Sequence, residues 1–213
     1  MRLLAIPVKS LARAKGRLSA ILTAAERAAV TLAMLEDVLD AALPLGGWDV
    51  WVVSPDQAVL NVAAARGARP VAEERPGLVA SIRQVEQATG GGDAMAVVLG
   101  DLPLLTADAL GRVLRTLGPV VAAPSASDGG TNVLLRRPGS VIAPRFGGDS
   151  LRKHRDAARS LGLPFAVVHG PELSFDLDRP GDVAQLLSWP APSRTRAACL
   201  DMGLADRLSV RTP

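Results

Sequence analysis

Short apolar runs alternate with helical segments along the first 125 residues of this 213-residue chain, and this alternation restricts the fold more than any other feature. Most of these runs are continuous instead of alternating with polar residues, which is typical of strands in a parallel sheet that is covered on both faces. We therefore expect an α/β fold with a Rossmann-like, mostly parallel sheet and helices on both faces. The predicted strands lie in 2–8, 48–54, 68–73, 94–101 and 119–125.

The segments between these runs have the 3.6-residue apolar spacing of helices. Thr23 is an expected N-cap, and Glu26, three residues later, is its expected capping-box partner. The predicted helices lie in 23–43, 55–67, 77–92 and 106–117. The less regular region after residue 125 predicts strands within 127–137, 164–170 and 173–180, and helices within 145–162 and 180–189.

Composition excludes several kinds of site and partner. The single cysteine, Cys199, excludes an internal disulfide and a cysteine-rich metal site, and two histidines, His154 and His169, make a histidine-built metal site improbable. A net charge of +3 suits a small anion, but 3% aromatic residues and the lack of a Lys/Arg block argue against nucleic acid.

Chain organisation predicts one domain, 1–189, followed by a tail, 190–213, with room for one short helix. No apolar run reaches the roughly 20 residues that a membrane span needs, so we expect no membrane partner. We find no signal-peptide pattern and expect a cytoplasmic protein. The sequence does not decide whether the chain forms a homo-oligomer.

Acidic residues follow two of the predicted strands, where ligands bind in open α/β sheets. Asp176 and Asp178 are two positions apart, so an extended backbone would direct both carboxylates to one face. Asp101 would join them from the end of a neighbouring strand. Three oxygen ligands suit Mg²⁺ or Mn²⁺. The alternative is that these acids belong to a solvated strand exit and a helix cap.

The basic segment "IPVKSLARAKGRLS", residues 6–19, directly follows the first strand. Beside a divalent cation, such a segment would neutralise the phosphates of a nucleoside triphosphate. Lys15 and Arg17 are the better candidates, with Lys9 as a second contact. The chain has no G-x-x-x-x-G-K-[ST] motif, so the site is not a P-loop. The alternative is a solvated, basic helix start.

Two glycine-containing motifs, "GGTN" and "FGGDS", could form a second phosphate site. Thr131 and Asn132 belong to the first motif, and Gly147 and Ser150 to the second. Ser150 opens a predicted helix, whose free N–H groups favour an anion. His154 lies one turn further on the same helix face. Ordinary turn and N-cap chemistry would account equally well for each motif.

In this order, these residues resemble the CofC/FbiD family of guanylyltransferases, which act in the biosynthesis of coenzyme F(420). The resemblance covers residues 5 to about 187. The matching parts are "IPVKSLARAKGRLS", "AMLEDVL", "VVSPD", "PGLVASIRQ", "LGDLPLL", "GGTNVLL", "RFGGDSLRKH" and "FDLDRPGDV".

This resemblance implies a GT-A-type nucleotidyltransferase fold and the transfer of GMP from GTP, with release of pyrophosphate. The acceptor would be phosphoenolpyruvate, 2-phospho-L-lactate or 3-phospho-D-glycerate. It also implies residue roles. Mg²⁺ would be held by Asp101, Asp176 and Asp178, the acceptor phosphate by Thr131, Gly147 and Ser150, and the GTP phosphates by Lys15 and Arg17.

One departure from the family pattern is Val79, where members commonly have Asn in a region expected to seat the nucleotide. This leaves base selection open. Three other functions also remain open: a related nucleotidyltransferase, although these usually begin with an "LAAG" loop that is absent here; a GT-A glycosyltransferase; and a non-catalytic nucleotide-binding protein.

Overall fold

A computed structural model of the chain describes residues 1–209. Within that range, one sheet contains the strands β1 (Arg2–Pro7), β2 (Asp49–Ser54), β3 (Arg69–Ala72), β4 (Ala94–Val98), β5 (Val120–Pro124), β6 (Thr131–Arg136) and β7 (Phe165–Val167). The helices are α1 (Ala24–Ala42), α2 (Gln57–Ala65), α3 (Leu78–Thr89), α4 (Ala107–Arg115), α5 (Ser150–Ser160), α6 (Pro171–Ser174), α7 (Pro180–Ser188), α8 (Arg194–Asp201) and α9 (Leu204–Ser209).

The strand order is β3-β2-β1-β4-β6-β5-β7. β1 runs parallel to both β2 and β4, whereas β6 is antiparallel to its neighbours β4 and β5. The chain moves outward from β1 to β3 and then returns to place β4 on the other side of β1. The point where the order reverses therefore lies between β1 and β4, and this is where ligands bind in such sheets.

Alternate residues of β1 enter two different buried clusters. Leu4 and Ile6 pack in the cluster that contains Leu35 of α1, whereas Leu3 and Ala5 pack in the cluster that contains Ile82 of α3. Helices therefore cover both faces of a mostly parallel sheet, as the sequence predicts. Among residues 1–209, no helix combines the length and the apolar character that crossing a membrane requires.

The predicted start of α1 is confirmed in atomic detail. Thr23 Oγ1 accepts a hydrogen bond from Glu26 N at 3.2 Å, and a carboxylate oxygen of Glu26 accepts one from Thr23 N at 2.8 Å. These two bonds satisfy N–H groups that would otherwise lack partners at the helix end, and such a cap is worth about 1 kcal/mol.

The predicted strand at 173–180 is wrong. The chain makes the short helix α6 there and then continues without strand pairing. Pro171 starts α6, since proline lacks the N–H that a strand ladder needs and suits a first helical turn. Beyond α6, Phe175 and Leu177 are buried while Asp176 and Asp178 are partly exposed. The two acids therefore alternate with buried residues, as expected, although the segment is not a strand.

The segment after residue 190 carries α8 and α9 and packs against α1. Asp37, a buried residue of α1, accepts hydrogen bonds from Arg194 N at 2.7 Å, Thr195 N at 3.0 Å and Thr195 Oγ1 at 2.6 Å. Cys199 is fully buried, and burial raises the pKa of its thiol to about 11. The domain division at residue 190 stays a prediction, and 210–213 lie outside the described residues.

Candidate active site

The basic segment after β1 is a fixed loop of two short 3₁₀ turns, Leu11–Arg13 and Gly16–Leu18, and not a continuous helix. Its backbone is tied at Leu11, whose N–H donates to a carboxylate oxygen of Asp56 at 2.6 Å. Leu18 is completely buried, which contributes about 2 kcal/mol. The backbone of the loop is therefore held in a defined position.

Lys15 is the residue whose placement departs most from the sequence analysis. Its backbone is left-handed, with φ of 52°, which costs a non-glycine residue about 1–2 kcal/mol. Its side chain is only 6% exposed. The ammonium lies 2.9 Å from Asp101 Oδ2 and 2.7 Å from Asp178 Oδ1. A cation expected to face bound phosphates therefore joins two of the predicted metal ligands.

The ionisation of this cluster follows from its charges. Burial opposes the charged form of Lys15, but Asp101 and Asp178 outweigh it, so the pKa of Lys15 is raised. Burial likewise opposes the charged form of Asp178, but Lys15, Arg17 and Lys9 outweigh it and lower the pKa of that carboxyl. Lys9 is exposed, and Arg17 is 68% exposed with a guanidinium nitrogen 3.8 Å from Asp178.

The third predicted ligand, Asp176, faces serine hydroxyls. Ser125 Oγ donates to Asp176 Oδ1 at 3.0 Å, and Ser127 Oγ lies 3.3 Å from Oδ2. Burial raises the pKa of Asp176 against the effect of the Ser125 bond, and the charges of Asp101 and Asp178 raise it further. Asp176 is thus close enough to Asp101 and Asp178 for their charges to oppose its ionisation.

The three acids meet only some of the requirements of a divalent-cation site, which are a suitable arrangement of ligands and free carboxylate oxygens. Within residues 1–209, no three His, Cys, Asp or Glu side chains stand in an arrangement that could hold a metal ion together. However, Asp101 Oδ1 is buried without a hydrogen-bond partner, and an unpaired buried carboxylate oxygen is costly. That free oxygen and the repulsion that Asp101 and Asp178 exert on Asp176 fit a divalent cation. The assignment stays a prediction.

A second cluster joins the two glycine-containing motifs. Ser150 Oγ donates to Thr131 Oγ1 at 3.1 Å, and His154 Nδ1 lies 3.2 Å from the same Thr131 oxygen. The other ring nitrogen of His154, Nε2, accepts from Arg145 N at 2.9 Å. All three side chains are buried. The structure thus brings Thr131 and Ser150 together, and it adds His154 as their partner.

Gly147 shapes the backbone that enters α5. Its φ of 112° lies in the region that favours glycine, and its carbonyl accepts from Ser150 N at 3.0 Å. Asp149 follows with a left-handed φ of 55°. The first turn of α5 therefore begins beside Thr131. The N–H groups of Ser150 and Leu151 are bonded to Gly147 O and Gly129 O, so this helix start favours an anion through its dipole and its hydroxyl groups.

The acidic and hydroxyl clusters lie at the same edge of the sheet. Because β6 is antiparallel to β4, its first residue, Thr131, lies at the edge where β4 ends and Asp101 follows. Ser125 links the clusters, since its backbone N–H donates to Gly130 O at 3.1 Å and its hydroxyl donates to Asp176. The site thus has two polar regions side by side.

Asn132 does not join either cluster. Successive residues of a strand face opposite sides of the sheet, so Asn132 is directed away from Thr131. It is buried, and its side-chain amide donates to Leu173 O at 3.0 Å. The structure therefore gives Asn132 a role in fixing α6 to β6, and its predicted substrate contact is not supported by this geometry.

Val79 lies in the first turn of α3, after the loop that follows β3. This loop is held by Glu73, whose Oε1 accepts from Ser81 Oγ at 2.5 Å and from Gly77 N at 3.2 Å. β3 runs parallel to β2, so Val79 lies near the same edge of the sheet as the two clusters.

The buried His154 should lower the free energy of unfolding in mild acid. Burial, followed by the charges of Arg136, Arg145 and Lys153, lowers the pKa of His154 to about 4. An unfolded chain takes up this proton near pH 6.5. Stability therefore falls as the pH decreases from about 6.5 to about 4, and the expected loss from this group by pH 5 is about 2 kcal/mol.

Urea unfolding at pH 7 and pH 5 measures this loss. A His154→Asn variant is the reference, because it lacks the imidazole and keeps every other titratable group. The wild-type chain should lose about 2 kcal/mol more than the variant. Equal losses in the two chains would contradict a neutral, buried His154.

Comparisons with known proteins agree on one family. The chain matches the family profile "Guanylyl transferase CofC like" over residues 1–203. It is 42% identical over 204 residues to 3-phospho-D-glycerate guanylyltransferase of Phenylobacterium zucineum (strain HLK1), covering 89% of this chain and 91% of that protein. It is 38% identical over 186 residues to phosphoenolpyruvate guanylyltransferase of Sphaerobacter thermophilus, covering 85% and 90%.

A solved structure supports the fold independently. It is that of a protein from Desulfovibrio desulfuricans G20, provisionally described as a nucleotide-diphospho-sugar transferase, which superposes with a TM-score of 0.77 over 97% of both chains. The two sequences are 18% identical, so this similarity supports the fold and nothing beyond it. The predicted fold class, a mostly parallel α/β sheet of the nucleotidyltransferase kind, is confirmed.

Proposed function

The chain belongs to the CofC family of guanylyl transferases, and from this we propose that it transfers GMP from GTP to a small phosphorylated acid and releases pyrophosphate. The enzyme is thus a nucleotidyltransferase. The acceptor is phosphoenolpyruvate, 2-phospho-L-lactate or 3-phospho-D-glycerate, and the reaction is a step of coenzyme F(420) biosynthesis. Because GTP is a metabolite of the cytoplasm, the proposal agrees with the expected location.

One observation supports this proposal: two different polar regions lie side by side at the same edge of the sheet. The first contains Lys15, Arg17 and Lys9 with their acidic partners, and it suits a triphosphate. The second contains Thr131 and Ser150 at the start of α5, and it suits one phosphate group. A transferase with two phosphorylated substrates needs both regions.

The proposed step is an in-line displacement at the α-phosphorus of GTP. A phosphate oxygen of the acceptor forms the new P–O bond, and the bond from the α-phosphorus to the bridging oxygen breaks, so pyrophosphate leaves with that oxygen. A phosphate monoester loses its second proton near pH 6. The attacking oxygen is therefore already anionic at neutral pH, and no general base is required.

Positioning and charge neutralisation remain as the tasks of the protein. Lys15 and Arg17 would neutralise the GTP phosphates, with Lys9 as a second contact. Thr131, Gly147 and Ser150 would hold the acceptor phosphate. These roles are consistent with the absence of a free imidazole from the hydroxyl cluster, because both ring nitrogens of His154 are occupied.

We further propose Mg²⁺, or Mn²⁺, as the cofactor, held by Asp101, Asp176 and Asp178. When bound, the cation would supply positive charge to the phosphates during the departure of pyrophosphate. Support comes from the unpartnered Asp101 oxygen and from the repulsion that Asp101 and Asp178 exert on Asp176. Lys15 would have to release Asp101 and Asp178 and turn to the phosphates of GTP.

Product analysis tests the proposed function. The enzyme is incubated with Mg²⁺, each of the three acceptors and each of GTP, ATP, CTP and UTP, and the products are identified by mass. We expect a guanylylated diphosphate from GTP and one acceptor. A parallel incubation with GDP-glucose or UDP-glucose in place of the triphosphate tests the alternative: release of the nucleoside diphosphate there would favour a glycosyltransferase. Nucleotide binding without any product would favour a non-catalytic protein.

A further inference from the structure

We propose that His154 is a positioning residue for the acceptor: its Nδ1–H keeps the Thr131–Ser150 hydroxyl pair free to donate a hydrogen bond to the phosphate of the acid. This inference rests on the proposed function, because it concerns the phosphate site of that reaction. It assigns a task to a buried histidine that takes no part in the chemical step.

The tautomer of His154 follows from its partners. Nε2 lies 2.9 Å from the backbone nitrogen of Arg145, and a backbone N–H can only donate. Nε2 therefore accepts and carries no proton. In a neutral imidazole the proton must then be on Nδ1. Nδ1, 3.2 Å from Thr131 Oγ1, is consequently the donor in that contact.

Counting protons shows what this tautomer does. Thr131 and Ser150 bring two hydroxyl protons, and the bond between them uses one. Because His154 donates, it takes neither proton, so one hydroxyl proton remains for a ligand. The opposite tautomer would accept the second proton and leave the pair with none. An anionic phosphate oxygen needs a donor, so the observed tautomer is the one that fits it.

The surroundings keep His154 in this state. The imidazole is fully buried and makes an edge contact with Phe146, with ring centres 5.1 Å apart. Arg136, Arg145 and Lys153 face it and disfavour a second ring proton. A protonated Nε2 would also repel the N–H of Arg145. The ring therefore stays neutral and correctly oriented over the working range of pH.

Two substitutions test the inference by steady-state kinetics. His154→Leu removes both ring nitrogens at similar volume, and His154→Asn keeps a donor near the place of Nδ1. We expect His154→Leu to raise the KM for the acceptor at least tenfold, with the KM for GTP within twofold of wild type. His154→Asn should recover part of the loss. His169→Gln, at the other and exposed histidine, is the matched control.

The outcomes separate this inference from the proposed function. A folded His154→Leu enzyme with an unchanged acceptor KM, or with both KM values raised equally, overturns the inference. Calorimetric titration with each phosphorylated acid adds a readout that needs no turnover. If wild type binds an acid but makes no product, the proposed function fails, and the inference is then judged by the same tenfold loss of affinity. No binding by wild type overturns both.

A spectroscopic test does not depend on the variants folding. Nitrogen-15 imidazole spectra distinguish the two neutral tautomers and the imidazolium, and His169→Gln assigns the signals, since the chain has only two histidines. The inference expects the Nδ1–H tautomer of His154 between pH 5 and pH 8. An Nε2–H tautomer, or an imidazolium in this range, would overturn it.

Discussion

An Asp101→Asn enzyme should lose guanylyl transfer by about a thousandfold and should remain folded. Asp101 holds Lys15 with one oxygen, while its other oxygen is buried without a partner. An amide of the same size keeps a contact for Lys15 but loses the negative charge that a cation requires. Metal-assisted charge stabilisation is worth several kcal/mol, and about 4 kcal/mol corresponds to a thousandfold in kcat/KM.

The Asp101→Asn variant should keep most of its stability although it loses its activity. The buried ammonium of Lys15 keeps its pairing with Asp178 at 2.7 Å and a neutral amide oxygen in place of Asp101 Oδ2, so the free energy of unfolding should fall by no more than about 2 kcal/mol. Asp93→Asn is the matched control, because Asp93 is exposed and precedes β4, at the opposite end of that strand from Asp101. Near-normal turnover by Asp101→Asn would refute the metal assignment.

The second large effect is expected from Lys15→Met, measured without GTP. Removing the buried ammonium leaves Asp101 and Asp178 without their cation, which should destabilise the chain by about 2 kcal/mol; the partial exposure of both acids keeps the loss below that of a fully buried pair. Turnover should fall about a hundredfold, because a group that neutralises the phosphates is lost. Chemical unfolding and steady-state kinetics measure the two effects.

The same variant should bind Mg²⁺ more tightly. In wild type the ammonium and a divalent cation compete for Asp101 and Asp178, and charges about 4 Å apart interact by about 4 kcal/mol near a protein surface. We expect at least a tenfold gain in Mg²⁺ affinity by calorimetry. Lys9→Met removes an equal charge from an exposed position and should give a smaller gain. Unchanged Mg²⁺ affinity in Lys15→Met would show that Lys15 does not compete.

This competition suggests why substrate and cation would bind together. GTP phosphates would offer Lys15 a new partner, and its departure would free two carboxylates for the cation. Each ligand would then favour the other by the same factor, as linkage requires. The left-handed backbone of Lys15 fits a residue held in a strained, ready position.

The sequence was sufficient to predict most of the fold. Mostly apolar runs identified β1, β2, β4 and β5, and Thr23 caps α1 where expected. The segment at 173–180 was predicted wrongly because its apolar residues, Phe175 and Leu177, alternate as in a strand. They are buried against α7 and α8, and no neighbouring strand pairs with them.

The candidate site was predicted only in outline. The residues at strand ends could be collected from the sequence, because parallel strands end at one edge. The sequence does not show which of these side chains contact one another, because the partners are distant along the chain. Lys15 and Asp178 are 163 positions apart, and Thr131 and His154 are 23 positions apart. A lysine beside two arginines looks like part of a solvated patch, and nothing local indicates that it is buried. Asn132 was grouped with Thr131 because the two are adjacent in the sequence, whereas neighbouring residues of a strand face opposite sides of the sheet.

Label transfer from GTP tests the central claim most directly. The enzyme is incubated with Mg²⁺, the preferred acceptor, and GTP labelled with phosphorus-32 at either the α or the γ position. The account predicts that the α label enters the acid product and that the γ label leaves in pyrophosphate. Appearance of the γ label on the acid or in free phosphate, with the α label retained in GDP, would contradict it.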